Sequence, residues 1–202
     1  MRTDLELLHA WRGGDEHAGG ELFDRHFDAL YRFFGNKVGD GIDDLVQQTL
    51  LGCVQGRERF REDSSFRTYL FATARNVLYQ HFDRRGRDAA RIDYGTVSVI
   101  DLGESPSRVL DGRAEQRLLA TALQRLPIDD QIALELRYWQ GLTGPELVDV
   151  LGIPEPAVRS RLRRALERLR GLIAQLAASP AELDSITADL ERWADSLRTP
   201  QA

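Results

Sequence analysis

Apolar residues recur every three or four positions through most of the chain, the spacing that places them on one face of an α-helix. In the first half this spacing predicts four helices, at 5–12, 17–38, about 43–56 and about 64–85. Glycines separate the first three helices, and two serines form the start signal of the fourth. Asp43 or Asp44 is predicted to cap the third helix.

The helical period stops in the middle of the chain and then resumes. Residues 88–112 contain glycine, serine and proline without sustained periodicity, which predicts a flexible linker. Residues 113–175 then predict four more helices, the third of which opens with a capping box formed by Thr143 and Glu146. Gly152 is placed to end that helix in the left-handed conformation.

A C-terminal extension, residues 176–202, predicts one further amphipathic helix. Its apolar positions step by three and four residues along 179–197, and no motif accounts for it. We expect this helix to pack on its own protein or on a partner. The predicted fold class is therefore all-α, with two small helical domains (1–87 and 113–175), a flexible linker and a C-terminal amphipathic helix, the second domain being a four-helix helix-turn-helix unit.

Charge is distributed unevenly along the chain. The net charge of the 202 residues is −5, yet residues 57–91 and 155–171 are each net +4, with 9 basic and 5 acidic residues in the first block and 6 and 2 in the second. Basic blocks of this kind are typical of a surface that binds a polyanion. A solvated helix face is the alternative for either block taken alone.

Composition excludes several other classes of protein. The single cysteine, Cys53, rules out an internal disulfide and fits the cytoplasm, and neither a signal peptide nor a membrane span is predicted. The four histidines show no metal-ligand spacing with Cys53, and no phosphate loop or nucleophile motif is present. We expect no catalytic residues, no metal and no cofactor, and so no enzyme.

Residues 143–170 combine a short helix, a glycine turn and a longer basic helix. This is the helix-turn-helix pattern, in which the second helix enters the major groove of DNA. Arginine can grip phosphate or donate two hydrogen bonds to guanine. Four residues on the outward face of the second helix are candidates for duplex contact: Arg159, Ser160, Arg163 and Arg164.

Three segments together resemble one known family. The segment 126–170, LPIDDQIALELRYWQGLTGPELVDVLGIPEPAVRSRLRRALERLR, is similar to the promoter-reading domain of the extracytoplasmic-function (ECF) sigma factors of bacterial RNA polymerase. GIDDLVQQTLLGCVQG at 41–56 resembles the family's polymerase-docking helix. FREDSSFRTYLFATARNVLYQHFDRRGR at 60–87 resembles its promoter-melting loop and helix. The resemblance covers about residues 5–175, in the same order and spacing.

The resemblance implies that the first domain docks on the β′ coiled coil of core RNA polymerase. The matching positions are Asp43, Asp44, Gln47 and Gln48. The family usually has glutamate at the last of these positions, so one charge is missing here. Docking is therefore expected to depend more on the apolar residues Leu45, Val46 and Leu51.

The resemblance also implies that the first domain captures the single non-template strand of the minus-ten element. Positive charge and aromatic side chains hold single-stranded nucleic acid. Asn76 matches the family position that contacts an extruded base. The expected contact residues are Arg67, Tyr69, Arg75, Asn76, Tyr79 and Arg84. Phe66, Leu70 and Phe82 are expected in the core.

The second domain is expected to bind the minus-thirty-five element as duplex. The implied partners are therefore core RNA polymerase and promoter DNA, and no membrane. An anti-sigma protein, or self-inhibition by residues 179–197, remains open as the means of regulation. Two other functions also remain open: an autonomous helix-turn-helix transcriptional regulator, and a structural adaptor that uses the tail helix.

Overall fold

The computed structural model describes residues 1–58, 60, 64–85, 92–104 and 114–177, with the backbone alone for 114–116. These residues form an all-α fold, as predicted, whose one extended feature is an isolated bridge between Ser98 and Pro127. The helices are α1 (Asp4–Arg12), α2 (Glu16–Gly35), α3 (Ile42–Gly56), α4 (Phe66–Arg85), α5 (Ala114–Gln124), α6 (Ile128–Tyr138), α7 (Gly144–Leu151) and α8 (Glu155–Leu176). The predicted tail helix, 179–197, lies outside the described residues.

Local capping chemistry fixes the start of α4 and both ends of α7 where the sequence placed them. Ser65 begins α4, because its hydroxyl oxygen accepts a hydrogen bond from the Thr68 amide at 3.1 Å. Thr143 and Glu146 form the predicted capping box at α7. Gly152 ends α7 with φ of 67°, a left-handed conformation that a residue with a Cβ adopts only under strain.

The predicted cap of α3 is wrong. The N-cap residue is Gly41, which has φ of 70° and makes no side-chain capping bond. A left-handed glycine turns the chain directly into the helix, so α3 begins at Ile42. Asp43 and Asp44 consequently lie in its first turn, exposed, where negative charge is favoured by the helix dipole. Both aspartates therefore have no capping role and are available for other contacts.

One apolar core extends through both halves of the chain. Its fully buried helical members come from α1, α2, α3, α4, α6 and α7, and α4 packs directly against α7. A second, smaller core holds α5 and α6 against α8. The four helices of the second half thus form a unit whose helix-turn-helix is packed on the first half.

A buried ion pair joins the two halves beside the shared core. The side chain of Lys37 is 0% exposed, and its ammonium pairs with the carboxylate of Glu135 on α6. It also donates to the Phe33 carbonyl oxygen at 2.8 Å and lies 4.0 Å from the Phe33 ring centroid. Asn36 donates to the same carboxylate at 3.3 Å. A charge removed from water in this way is tolerated only when it is paired and hydrogen-bonded.

Part of the predicted linker, residues 92–104, is docked on both halves. Val99 is fully buried, and the Ile128 amide of α6 donates to the Val97 carbonyl oxygen at 2.9 Å. At the other end of the segment Glu104 accepts from the Gly39 amide at 2.9 Å and pairs with Arg85 at 3.1 Å. Specific hydrogen bonds, which composition does not reveal, therefore fix this segment.

Candidate nucleic-acid interface

The outward face of α8 carries three of the four predicted duplex-contact residues in exposed positions. Arg159, Arg163 and Arg164 are exposed, and Ser160 is half-buried beside them. The first two make ion pairs one turn away, with Glu155 at 2.6 Å and Glu167 at 3.4 Å. Surface pairs at this spacing are worth a few tenths of a kcal/mol, so a phosphate can displace them.

The opposite side of α8 uses arginine to bind α6. Arg161 pairs with Asp129, and Arg168 pairs with Asp130 at 2.5 Å. Burial raises the pKa of Asp130, and the nearby Arg168 guanidinium opposes that rise. Arg161 and Arg168 thus anchor α8 to its own domain.

The predicted strand-binding residues of α4 divide into exposed and engaged groups. Asn76 and Arg84 are exposed, and Arg67 is half-buried. The residues of α4 assigned to the core are buried as expected: Phe66, Leu70 and Phe82. Asn76 and Arg84 can therefore meet a nucleic acid in this arrangement.

The side chain of Tyr69, on α4, is half-buried against α3. Its ring lies 4.8 Å from that of Phe60 and 6.4 Å from that of Phe66. Its hydroxyl approaches α3 so closely that a Cβ at Gly56 would stand 2.0 Å from the oxygen. Gly56 is thus required for this packing, and Tyr69 fixes α3 on α4 in addition to any contact with DNA.

Arg75 and Tyr79 are engaged with the second half of the chain. The Arg75 guanidinium donates to the Val150 carbonyl oxygen of α7 at 3.3 Å and to the Tyr79 hydroxyl oxygen at 3.0 Å. The Tyr79 hydroxyl donates to the carboxylate of Asp129. Burial, followed by the Asp129 carboxylate, raises the pKa of Tyr79, so the hydroxyl stays protonated as a donor.

Tyr94, in the docked part of the linker, lies on Tyr79. Their ring centroids are 4.0 Å apart and their planes differ by 9°. Sequence reasoning missed both Tyr94 and Asp129, because neither belongs to a motif. A tyrosine within a Gly-rich linker was the available signal, since aromatic residues are uncommon in freely flexible segments.

The predicted polymerase-docking residues share one exposed surface of α3. Asp43, Asp44, Gln47 and Gln48 are all exposed. The apolar part of the expectation needs correction, because Leu45 and Val46 point into the core and are 2% and 3% exposed. Leu51, expected with them, is 53% exposed, and sequence reasoning missed Val54, which is 39% exposed. The exposed surface of α3 therefore consists of acidic and amide groups with Leu51 and Val54.

The fold and two matches to family models define a sigma-70-type protein. Residues 22–88 match the family described as Sigma-70 region 2, and residues 116–169 match Sigma-70, region 4. The first match contains helix α4 and the exposed surface of α3. The second contains the helix-turn-helix.

Individual relatives narrow the class. The chain is 31% identical over 177 residues to the ECF RNA polymerase sigma factor SigM of Mycobacterium tuberculosis H37Rv, covering 87% of each protein. It is 28% identical over 185 residues to the ECF RNA polymerase sigma-E factor of Haemophilus influenzae, covering 86% of this chain and 97% of that one. The solved structure of CnrH in complex with the cytosolic domain of CnrY is similar with a TM-score of 0.62 and 25% identity, over 85% of this chain and 97% of that chain.

The chain therefore belongs to the ECF sigma factors of RNA polymerase. It functions in transcription initiation, and membership makes it a regulator of the polymerase and not an enzyme. Among the helices that the structure describes, none is long and apolar enough to cross a membrane.

Proposed function

We propose that this protein directs core RNA polymerase to specific promoters by binding the minus-thirty-five element as duplex and the minus-ten element as a single strand. The observation that carries the proposal is the exposed arginine face of α8, the second helix of a helix-turn-helix. In this geometry Arg159, Arg163 and Arg164 are available to phosphates and to guanine edges in the major groove.

Strand capture is assigned to α4. Asn76 is exposed and has both a donor and an acceptor, which suits the edge of an extruded base. Arg67 and Arg84 supply positive charge along the same helix, and Tyr79 supplies an aromatic face once it is uncovered. The two DNA-binding domains are proposed to comprise residues 1–87 and 113–175.

Polymerase docking is assigned to the exposed surface of α3. Asp43 and Asp44 offer charge to a basic partner, and Gln47 and Gln48 offer hydrogen bonds. Leu51 supplies apolar contact. We assign the β′ coiled coil of core polymerase as the partner of this surface.

Regulation by a protein inhibitor is also proposed. The similar structure of CnrH holds the cytosolic domain of CnrY, and residues 179–197 of the present chain offer an acidic, amphipathic segment that could act internally. Deletion after Ala178 distinguishes internal inhibition by this segment from inhibition by a separate protein. Higher promoter binding and transcription by the shortened chain supports internal inhibition, and unchanged values exclude it.

The main test is transcription in vitro with core polymerase on random promoter DNA. Arg163→Ala is expected to reduce initiation about tenfold, since a good arginine contact with a base is worth about 1–3 kcal/mol. Asn76→Ala is expected to reduce promoter opening but not duplex binding. Arg125→Ala is the matched control, because Arg125 is an exposed arginine of the same domain outside α8. Equal activity of Arg163→Ala and Arg125→Ala refutes the assignment of α8.

A gel shift without polymerase separates the proposal from an autonomous regulator. A sigma factor is expected to bind promoter duplex weakly when alone and to open it only with core polymerase. An autonomous helix-turn-helix regulator needs to bind tightly by itself, generally as a dimer on two half-sites. Tight, polymerase-independent binding would therefore favour the regulator.

A further inference from the structure

The aromatic platform assigned to Tyr79 is covered by another residue of the same chain. The ring of Tyr94 lies parallel to it, with 4.0 Å between the centroids and 9° between the planes. Isolated aromatic pairs generally prefer wider offsets or edge-to-face contact. A close parallel overlap is the arrangement in which a nucleic-acid base stacks on a protein ring.

Several hydrogen bonds hold Tyr94 in this position. Its hydroxyl lies 2.6 Å from the Asp83 carboxylate and 3.0 Å from the Tyr79 carbonyl oxygen, and both belong to α4. Its own carbonyl oxygen accepts from the Asp129 amide of α6 at 3.0 Å. Asp129 also accepts from the Tyr79 hydroxyl. One residue of the second domain thus fixes both rings of the stack.

The charge around the stack is mixed. A hollow of about 480 Å³ opens beside the two tyrosines, and its lining includes the carboxylates of Asp83, Asp93 and Asp129. Arginines offset part of this charge, because Arg161 pairs with Asp129 and the Arg75 guanidinium lies 4.7 Å from the Tyr79 ring centroid. Asn76 and Arg84, on the same helix, remain exposed. The duplex-reading arginines of α8 are exposed too, so the cover is specific to the platform.

We infer that Tyr94 is an internal base mimic, which occupies the stacking platform on Tyr79 and keeps the protein from capturing single-stranded DNA until the linker is displaced. The inference rests on the proposed function, since it gives Tyr79 the role of a platform for a promoter base. Asp129 is the positioning residue of the device. Nucleotide and Tyr94 compete for one ring face, so removing Tyr94 strengthens strand binding by the free protein.

The test compares single-strand binding by the purified full chain and its variants. The probe is a single strand of about 12 nucleotides and random sequence, carrying 2-aminopurine and a fluorescent end label. Measured by fluorescence anisotropy, the affinity of Tyr94→Ala for the strand is expected to be about tenfold higher, because one stacked base contributes a gain of about that size. It is also expected to increase quenching of the 2-aminopurine. Quenching reports stacking, and a merely loosened structure would not increase it.

Three variants control this result. Tyr94→Phe keeps the covering ring and is expected to stay within about twofold of the parent. Ile92→Ala shortens another residue that lines the same hollow and leaves the stack intact. Tyr79→Ala combined with Tyr94→Ala removes the platform and is expected to abolish the gain.

Two outcomes overturn the inference. One is a Tyr94→Ala affinity no higher than that of Ile92→Ala. The other is a gain that persists in the double variant, because it would then arise elsewhere. Transcription by the unaltered protein with core polymerase is measured in parallel. Its absence refutes the proposed function, whereas its presence with an unchanged Tyr94→Ala affinity refutes the base mimic alone.

Discussion

Replacing Glu135 by glutamine tests whether the buried ion pair holds the two halves of the protein together. The substitution changes one oxygen to an amide nitrogen and keeps the size of the side chain. Lys37 then remains in the core without its counter-charge, beside only the Phe33 carbonyl oxygen and ring. Asn36 and Gln131, which both donate to Oε1 of Glu135 at 3.3 Å and 3.0 Å, compete for the single acceptor that is left.

The expected loss of stability is large for a single substitution. Removing one partner of a buried pair generally costs about 3–5 kcal/mol, against a total of about 5–15 kcal/mol for a domain. Asp40→Asn provides the matched control, because it removes the carboxylate of an exposed pair with Arg85 at 3.2 Å. A surface pair of that kind is worth about 0–1 kcal/mol. The double variant Lys37→Met/Glu135→Leu should recover much of the loss, since it removes both charges.

Urea denaturation followed by circular dichroism is the assay, with midpoint and slope recorded for each variant. A loss below about 1 kcal/mol for Glu135→Gln, equal to that of Asp40→Asn, would refute the reasoning.

The pH dependence of stability gives a second check. Burial lowers the pKa of Lys37 from its ordinary 10.5, and the Glu135 carboxylate opposes that effect. Without the carboxylate the pKa falls further, so the unfolded chain binds more protons than the folded one between the two values. Stability of Glu135→Gln should therefore rise with pH across that window.

Two further predictions concern α3. Leu51→Glu should weaken binding to core polymerase by about 1 kcal/mol or more, roughly fivefold, in a fluorescence titration. Helicity should not change, because Leu51 is 53% exposed, and Val54→Glu tests the same surface. Equal binding by the unaltered protein and both variants would exclude this surface from docking. Cys53 should react with Ellman's reagent at pH 8 only after denaturation, because burial raises the pKa of its thiol to about 12; rapid modification of the folded protein would contradict its position in the core.

Features that depend on neighbouring residues were predictable from the sequence. Helical periodicity, the capping box at Thr143 and the glycine turn at Gly152 each act within a few residues, and the structure shows each of them. The cap of α3 was predicted wrongly, because a left-handed Gly41 makes a side-chain cap unnecessary. Leu45 and Val46 are buried because they lie on the same face of α3 as Ile42, Thr49 and Cys53, at helical spacing.

Contacts between the two halves could not be predicted in this way. Lys37 and Glu135 are 98 residues apart, and Tyr79 and Asp129 are 50 residues apart. Helical period gives the buried face of each helix but not which distant helix covers it. Lys37 is nevertheless the only lysine among 27 basic residues, and its sequence neighbours are apolar or polar but uncharged.

The pairing of Arg161 and Arg168 with α6 limits how strongly ionic strength can affect DNA binding. Each phosphate neutralised by a protein cation releases condensed counterions, which sets the slope of affinity against salt at about −0.9 per contact. Six arginines on α8 would give a slope near −5.4, whereas two of them are already neutralised within the protein. The helix can thus contribute no more than about −3.6, so its binding to the duplex should weaken less steeply as salt rises than its composition indicates.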